Sequence, residues 1–290
     1  MRSVFALAAL SAISLAPVVA QEERGPAPVI QIIREAVKEG KGPVHEKTEA
    51  EFVRAMRKAK FPGYYYGMTA SSGSNEAWFI NVYPSFAAAE EYQKEMQKEP
   101  LKSEFELADS HDGTLRDSTR TMWAVYRPDM SYRPEKFEVA KAHYVAVGTM
   151  RVKLGKEEDF ADGAKMYIAT HEKANTDLPF LGYQVVEGAP AGTYLFFSVM
   201  ESLKTMDGEA ARRRAFVEAM GEDNYKQFAK GSGDVFQLME NNLFAMNPRM
   251  SYVPKEVEDA DPAYWKPKPA VKKVTEAAPK KEEKPAEPGQ

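Results

Sequence analysis

Three short strings recur in the same order along this chain, and a chain made of two copies of one unit must either separate the copies or pair them. Val37-Lys38-Glu39-Gly40-Lys41 returns as Val152-Lys153-Leu154-Gly155-Lys156, 115 residues on. Phe61-Pro62-Gly63-Tyr64 returns as Phe180-Leu181-Gly182-Tyr183, at a separation of 119. Met130-Ser131-Tyr132-Arg133-Pro134 returns as Met250-Ser251-Tyr252-Val253-Pro254, at 120, and Gly113 with Gly233 keeps that spacing. The drift of about five residues is expected mostly between the first and second strings, as one more helical turn in the second copy. Each copy then has about 118 residues, near the common domain size.

Hydrophobic period assigns the elements of each copy. In the first, 29–36 is β-branched and bounded by Pro28 and the breaker at 40–43, a strand. Phe52, Ala55, Met56 and Ala59 then recur at three- and four-residue steps, a helix that Pro43 can start and Pro62-Gly63 must stop. Residues 64–69 and 77–83 read as a hairpin around the polar turn 71–75. Pro84-Ser85 opens a second helix that Pro100 breaks, with a further helical piece to about 108 and a fourth strand at 119–126. The second copy repeats this order, with strands at 144–154, 182–186, 193–200 and 235–246 and helices at 156–174 and 206–230. Each copy is therefore β-α-β-β-α-β, a ferredoxin-like unit. Strands such as Ala77-Trp78-Phe79-Ile80 are apolar on both faces. Helices cover one face, so the other is expected to meet the sheet of the second copy.

Two such α+β units in tandem, with the repeated Met-Ser-Tyr-x-Pro strings at Met130 and Met250, resemble the dimeric α/β barrel superfamily in a form where one chain holds both halves. NIPSNAP-like proteins and antibiotic-biosynthesis-type monooxygenases are the branches most similar in look. The resemblance implies a pocket between sheets and helices, used in different branches for small aromatic substrates, for haem, or for pairing subunits. Some haem-binding members place their axial histidine after the second helix of a half, which here points to His111.

The termini stand outside this pattern. Residues 1–20 carry one basic residue, an apolar run at 4–16 and small residues before Gln21, the layout of a cleaved secretory signal, so export to a periplasm or medium is expected. The run is shorter than the roughly 20 residues a membrane-spanning helix needs. The chain has no cysteine, which removes disulfides, thiol nucleophiles and cysteine-based zinc sites. Residues 257–290 hold 7 Lys, 7 acidic residues and 6 Pro and read as a disordered tail, whose start Tyr264-Trp265 could dock back on the body. The expected divisions are thus 1–20, 21–138, 139–256 and 257–290. With a net charge of −4, the chain is no nucleic-acid binder by charge.

No catalytic motif is present: neither G-x-S-x-G, a P-loop, G-x-G-x-x-G after a strand, H-E-x-x-H nor an EF-hand loop. None of the four histidines has metal-ligand spacing, so no metal is expected, and His45 and His171, each in a His-Glu-Lys string, read as solvated helix positions. Arg34 and Glu35 are adjacent in a strand, so alternation aims one of them at a covered face unless both sit at the strand end in water. An inward Arg34 beside Tyr66, Trp78 or Trp123 would bind an anionic or aromatic ligand. Arg34, Tyr66, Trp78, His111, Trp123 and His143 are accordingly the candidate ligand-binding residues. The reading is an exported protein, monomer or homodimer, that binds a small apolar or aromatic molecule or a partner protein without a cofactor. The alternative is a monooxygenase-type or haem-dependent enzyme using the same pocket.

Overall fold

The computed structural model describes residues 25–266; the signal reading and the tail beyond Lys266 lie outside them. The first half runs β1 (Val29–Val37), α1 (Gly42–Ala59), β2 (Tyr64–Ala70), β3 (Glu76–Tyr83), α2 (Phe86–Met96), α3 (Leu101–Asp112) and β4 (Arg116–Tyr132). The second runs β5 (Tyr144–Val152), α4 (Glu157–Ala174), β6 (Phe180–Glu187), β7 (Thr193–Met200), α5 (Glu209–Met220), α6 (Glu222–Val235) and β8 (Phe236–Met246), followed by the short α7 (Lys255–Ala260) and α8 (Pro262–Trp265). Pro43 lies in the first turn of α1, and Lys60 ends that helix in the left-handed conformation, where its N–H reaches the carbonyls of Met56 and Arg57. Ser85 caps α2, accepting from the Ala88 N–H at 3.1 Å. Pro100 separates α2 from α3, as its missing N–H requires.

The eight strands close into one antiparallel barrel in the order β1-β3-β2-β8-β5-β7-β6-β4. Within each half the order is the same, β4-β1-β3-β2 and β8-β5-β7-β6, and two seams, β2 with β8 and β4 with β6, join the halves. Closure removes the sheet edges that each half alone would expose. Alternate residues of every strand fill the lumen, among them Ile32, Met68, Trp78, Met122, Val147, Leu195 and Phe244, all essentially solvent-free. The outer faces carry separate apolar clusters beneath the helices, around Phe79, Met56 and Phe61 in the first half and around Phe160, Tyr194 and Phe236 in the second.

The Met-Ser-Tyr strings turn out to be reciprocal clasps between the halves. Ser251 Oγ accepts the Gly67 N–H at 2.9 Å and donates to the Asn247 carbonyl at 2.7 Å. Ser131 Oγ accepts the Gly182 N–H at 2.9 Å and donates to the Arg127 carbonyl at 2.8 Å. Tyr252 and Tyr132 then donate to the Phe61 and Thr176 carbonyls, just beyond α1 and α4, each at 2.9 Å. The first string belongs to β4 itself, which runs to Tyr132 where the sequence put the strand's end near 126, because β6 of the other half gives it a partner.

The clasps also correct the spacing of the repeat. Gly67 and Gly182 are equivalent, 115 residues apart, and α1 and α4 are both 18 residues long, so no helical turn was inserted. The extra residues enter later: Phe79 opposite Gly67 corresponds to Phe196 opposite Gly182, at 117, and Arg116 opposite Val37 corresponds to Phe236 opposite Val152, at 120. The tail boundary at 257 is corrected as well. Residues through Lys266 are ordered, with Trp265 buried and its Nε1–H donating to the Ala140 carbonyl at 2.8 Å. No helix among the described residues is long and apolar enough to cross a membrane.

Candidate functional site

One mouth of the barrel leads into an apolar cavity of about 340 Å³, at the end where β1, β5 and β8 present Ile30, Val145 and Met246. Ile80, Val82 and Val199 line its wall. Residues 25–27, with Phe137 and Val139 from the connection between the halves, form its rim, where Glu135 is exposed. Its volume falls in the range of small-molecule sites. Tyr66 and Tyr183 bring the polar atoms: the Tyr183 hydroxyl donates to the Ala27 carbonyl at 3.0 Å, and burial pushes it well above the ordinary tyrosine range, with Tyr126 adding to the shift.

Of the six candidate residues, only Tyr66 lines this cavity. Arg34 does point into the barrel, but toward its opposite end, where Glu76 holds it through three hydrogen bonds of 2.8, 2.9 and 3.1 Å and its guanidinium lies 4.5 Å from the Trp78 ring centroid. Trp78 Nε1–H also donates to Glu76, so the three side chains satisfy one another and plug that end. Trp123 faces outward, against Tyr83 and Phe86. His143 pairs with Asp261 at 2.7 Å and stacks on Tyr264, anchoring α8.

His111 sits on the exposed end of α3, 3.0 Å from a Glu51 oxygen. Haem needs an axial ligand beside an apolar chamber. Among the described residues no histidine lines the cavity, so the haem reading through His111 does not fit these residues.

His45 and His171 are not solvated, contrary to the sequence reading. His171 is wedged among Tyr132, Tyr167, Phe180 and Phe216, with Nδ1 2.7 Å from the Thr176 hydroxyl. Burial pushes its pKa down to about 4. The folded state therefore takes up a proton less readily than the unfolded one, so stability should fall as pH drops from about 6.5 to 4, by up to roughly 3 kcal/mol. Urea titrations at pH 7 and pH 4.5 check this; a His171→Phe chain should lose that part of the pH dependence, and an unchanged difference would refute the assignment.

His45 belongs to a second site, on the outer face of the first half's sheet. Glu35 from β1, His45 and Glu49 one turn apart on α1, and Asp112 at the end of α3 converge there, none of them more than 5% exposed. His45 Nε2 lies 2.8 Å from Glu35 Oε2, 3.5 Å from Asp112 Oδ1 and 3.8 Å from Glu49 Oε1. Arg116, opening β4, donates to Glu35, Asp112 and Asp109, and Thr48 donates to Asp112 at 2.8 Å. Burial holds the Glu49 carboxyl well above its usual range, reinforced by Glu35 and Asp112, and also raises Asp112. The sequence carried one sign of this site, the i, i+4 pair of His45 and Glu49 on one helix face.

The fold is a closed eight-stranded antiparallel α+β barrel, an architecture consistent with a dimeric α/β barrel. No family model matches the chain, and no curated protein matches it. Solved structures similar in fold include an anthrone oxidase-like protein, 10% identical over 78% of this chain and 92% of its own, TM-score 0.48. A provisional monooxygenase from Lactobacillus acidophilus is 10% identical over 76% and 94%, TM-score 0.47. A mutant chlorite dismutase from Candidatus Nitrospira defluvii is 10% identical over 81% and 95%, TM-score 0.45.

Proposed function

We propose that this chain is a tandem-duplicated dimeric α/β barrel that is exported and binds a small apolar or aromatic molecule in its barrel mouth. The observation that supports the reading is the 340 Å³ cavity, walled by aliphatic side chains and carrying Tyr66 and Tyr183 for orientation. Apolar walls supply affinity by removing ligand surface from water, and a few hydroxyls fix its pose. Catalysis would need an acid, base or nucleophile beside the ligand. The polar side chains lining the cavity are two tyrosines and a rim glutamate, so binding is the better fit.

The test uses 1-naphthol as the probe, titrated into the full chain by calorimetry. Saturable 1:1 binding is expected, weakened about tenfold or more by Val82→Trp, which fills the chamber from a half-exposed wall position. Equal affinity in wild type and Val82→Trp, or no saturation, overturns the proposal.

A further inference from the structure

We propose that Glu35, His45, Glu49 and Asp112 form a binding site for one divalent transition-metal ion, separate from the barrel cavity. Each residue offers one ligand atom, and the four atoms lie within 4.8 Å of one another. With metal–ligand bonds of about 2.1 Å, the atoms of a tetrahedral shell stand about 3.4 Å apart. The separations from His45 Nε2, at 2.8, 3.5 and 3.8 Å, bracket that edge. An imidazole among carboxylates favours zinc or manganese over magnesium or calcium, which prefer all-oxygen sites.

The other half of the barrel shows what the fold needs at this place. By the register of the clasps and strands, the positions equivalent to Glu35, His45, Glu49, Asp112 and Arg116 hold Met150, Phe160, Ala164, Ser232 and Phe236. Phe160 and Phe236 meet edge to face there, within an apolar cluster that Ala164 joins. A ferredoxin-like half thus closes this space with hydrocarbon. The first half instead buries three carboxylates against one guanidinium and one imidazole, an arrangement that desolvation penalises.

A further sign is Tyr65. It is 5% exposed, its hydroxyl has no hydrogen-bond partner, and the Glu49 carboxylate lies close enough to raise it further above the ordinary tyrosine range, beyond what burial does. A buried hydroxyl without a partner is costly unless something fills the gap. The equivalent position in the second half is Phe180, which has no hydroxyl to satisfy. Arg116 and Thr48 hold the outer lone pairs of Glu35 and Asp112, the role that outer-shell partners play around a metal.

The experiment strips the full chain with a chelator, incubates it with Zn²⁺ or separately Mn²⁺, removes free metal by gel filtration and measures bound metal by mass spectrometry. Wild type should retain one equivalent of at least one ion and show a melting temperature that rises with its concentration. Glu49→Gln and His45→Gln should each weaken binding by about 100-fold or more, whereas His143→Gln, which removes the part-buried pair with Asp261 far from these ligands in the fold, should leave it unchanged. Should Glu49→Gln fail to fold, the wild-type stoichiometry and His143→Gln still decide. No retained metal in wild type, retention undiminished in Glu49→Gln or His45→Gln, or loss in His143→Gln instead, overturns the site.

Discussion

Replacing Asp112 alone by alanine should lower the stability of the metal-free protein by about 3–5 kcal/mol, while replacing the whole buried cluster by its second-half counterparts should cost nothing or stabilise it. Asp112 holds Thr48 and Arg116 and stands 3.5 Å from His45 Nε2. Its removal leaves a guanidinium with one buried partner fewer and a hydroxyl still bonded only within its own helix. The full exchange, Glu35→Met, His45→Phe, Glu49→Ala, Tyr65→Phe, Asp112→Ser and Arg116→Phe, removes every charge together and reproduces an apolar packing the same fold already uses. Serine at 112 can donate to the carbonyl four residues back, as Ser232 does to Phe228 at 2.9 Å. Urea unfolding of the three chains checks this. A full exchange as damaging as Asp112→Ala would mean that the polar cluster is a structural requirement of the first half.

Gly67→Ala is the second substitution with a large expected effect, a loss of about 3 kcal/mol. A Cβ built at Gly67 would stand 2.2 Å from the Met250 carbonyl oxygen, a backbone atom that cannot rotate away. To make room, the segment following β8 must lift, and the Gly67 N–H then loses Ser251 Oγ and the Tyr65–Tyr252 backbone pairing loosens. Gly182 faces the same constraint from Met130, with the carbonyl oxygen at 2.6 Å. Gly182→Ala should therefore destabilise too, while Gly231→Ala, where a Cβ meets nothing within 4 Å, should not. If Gly67→Ala and Gly231→Ala unfold at the same urea concentration, the clasp carries no weight in joining the halves.

Elements were legible in the sequence because their causes are local. Alternation, helical spacing and the breakers Pro43, Pro62, Pro84 and Pro100 act within a few residues, and the strands and helices fall within a few residues of their expected places. The long β4 escaped this reading, since its last residues are strand only because β6 pairs with them. Tyr66, named in the sequence only as a neighbour of an inward Arg34, lines the cavity, whereas Arg34, left open between a covered face and a strand end in water, points inward because Glu76, 42 residues away, holds it.

The buried cluster was hidden by a register error as much as by distance. Phe61-Pro62-Gly63-Tyr64 looks like Phe180-Leu181-Gly182-Tyr183, yet the clasps align Gly67 with Gly182. In that alignment His45 faces Phe160 and Glu49 faces Ala164, a polar-for-apolar exchange that marks the first half as the specialised one.

By itself, the sequence pointed to a repeated β-α-β-β-α-β order with both sheet faces covered, because these follow from periodicity and repeated strings, and the element order of the structure matches it. Only the tertiary structure decided which face each charged side chain occupies and which residues meet. Alternation along β1 sends Arg34 into the lumen and Glu35 to the opposite face, where packing of α1 and α3 on the sheet brings it to His45, Glu49 and Asp112, a convergence of positions up to 77 residues apart that no local pattern encodes.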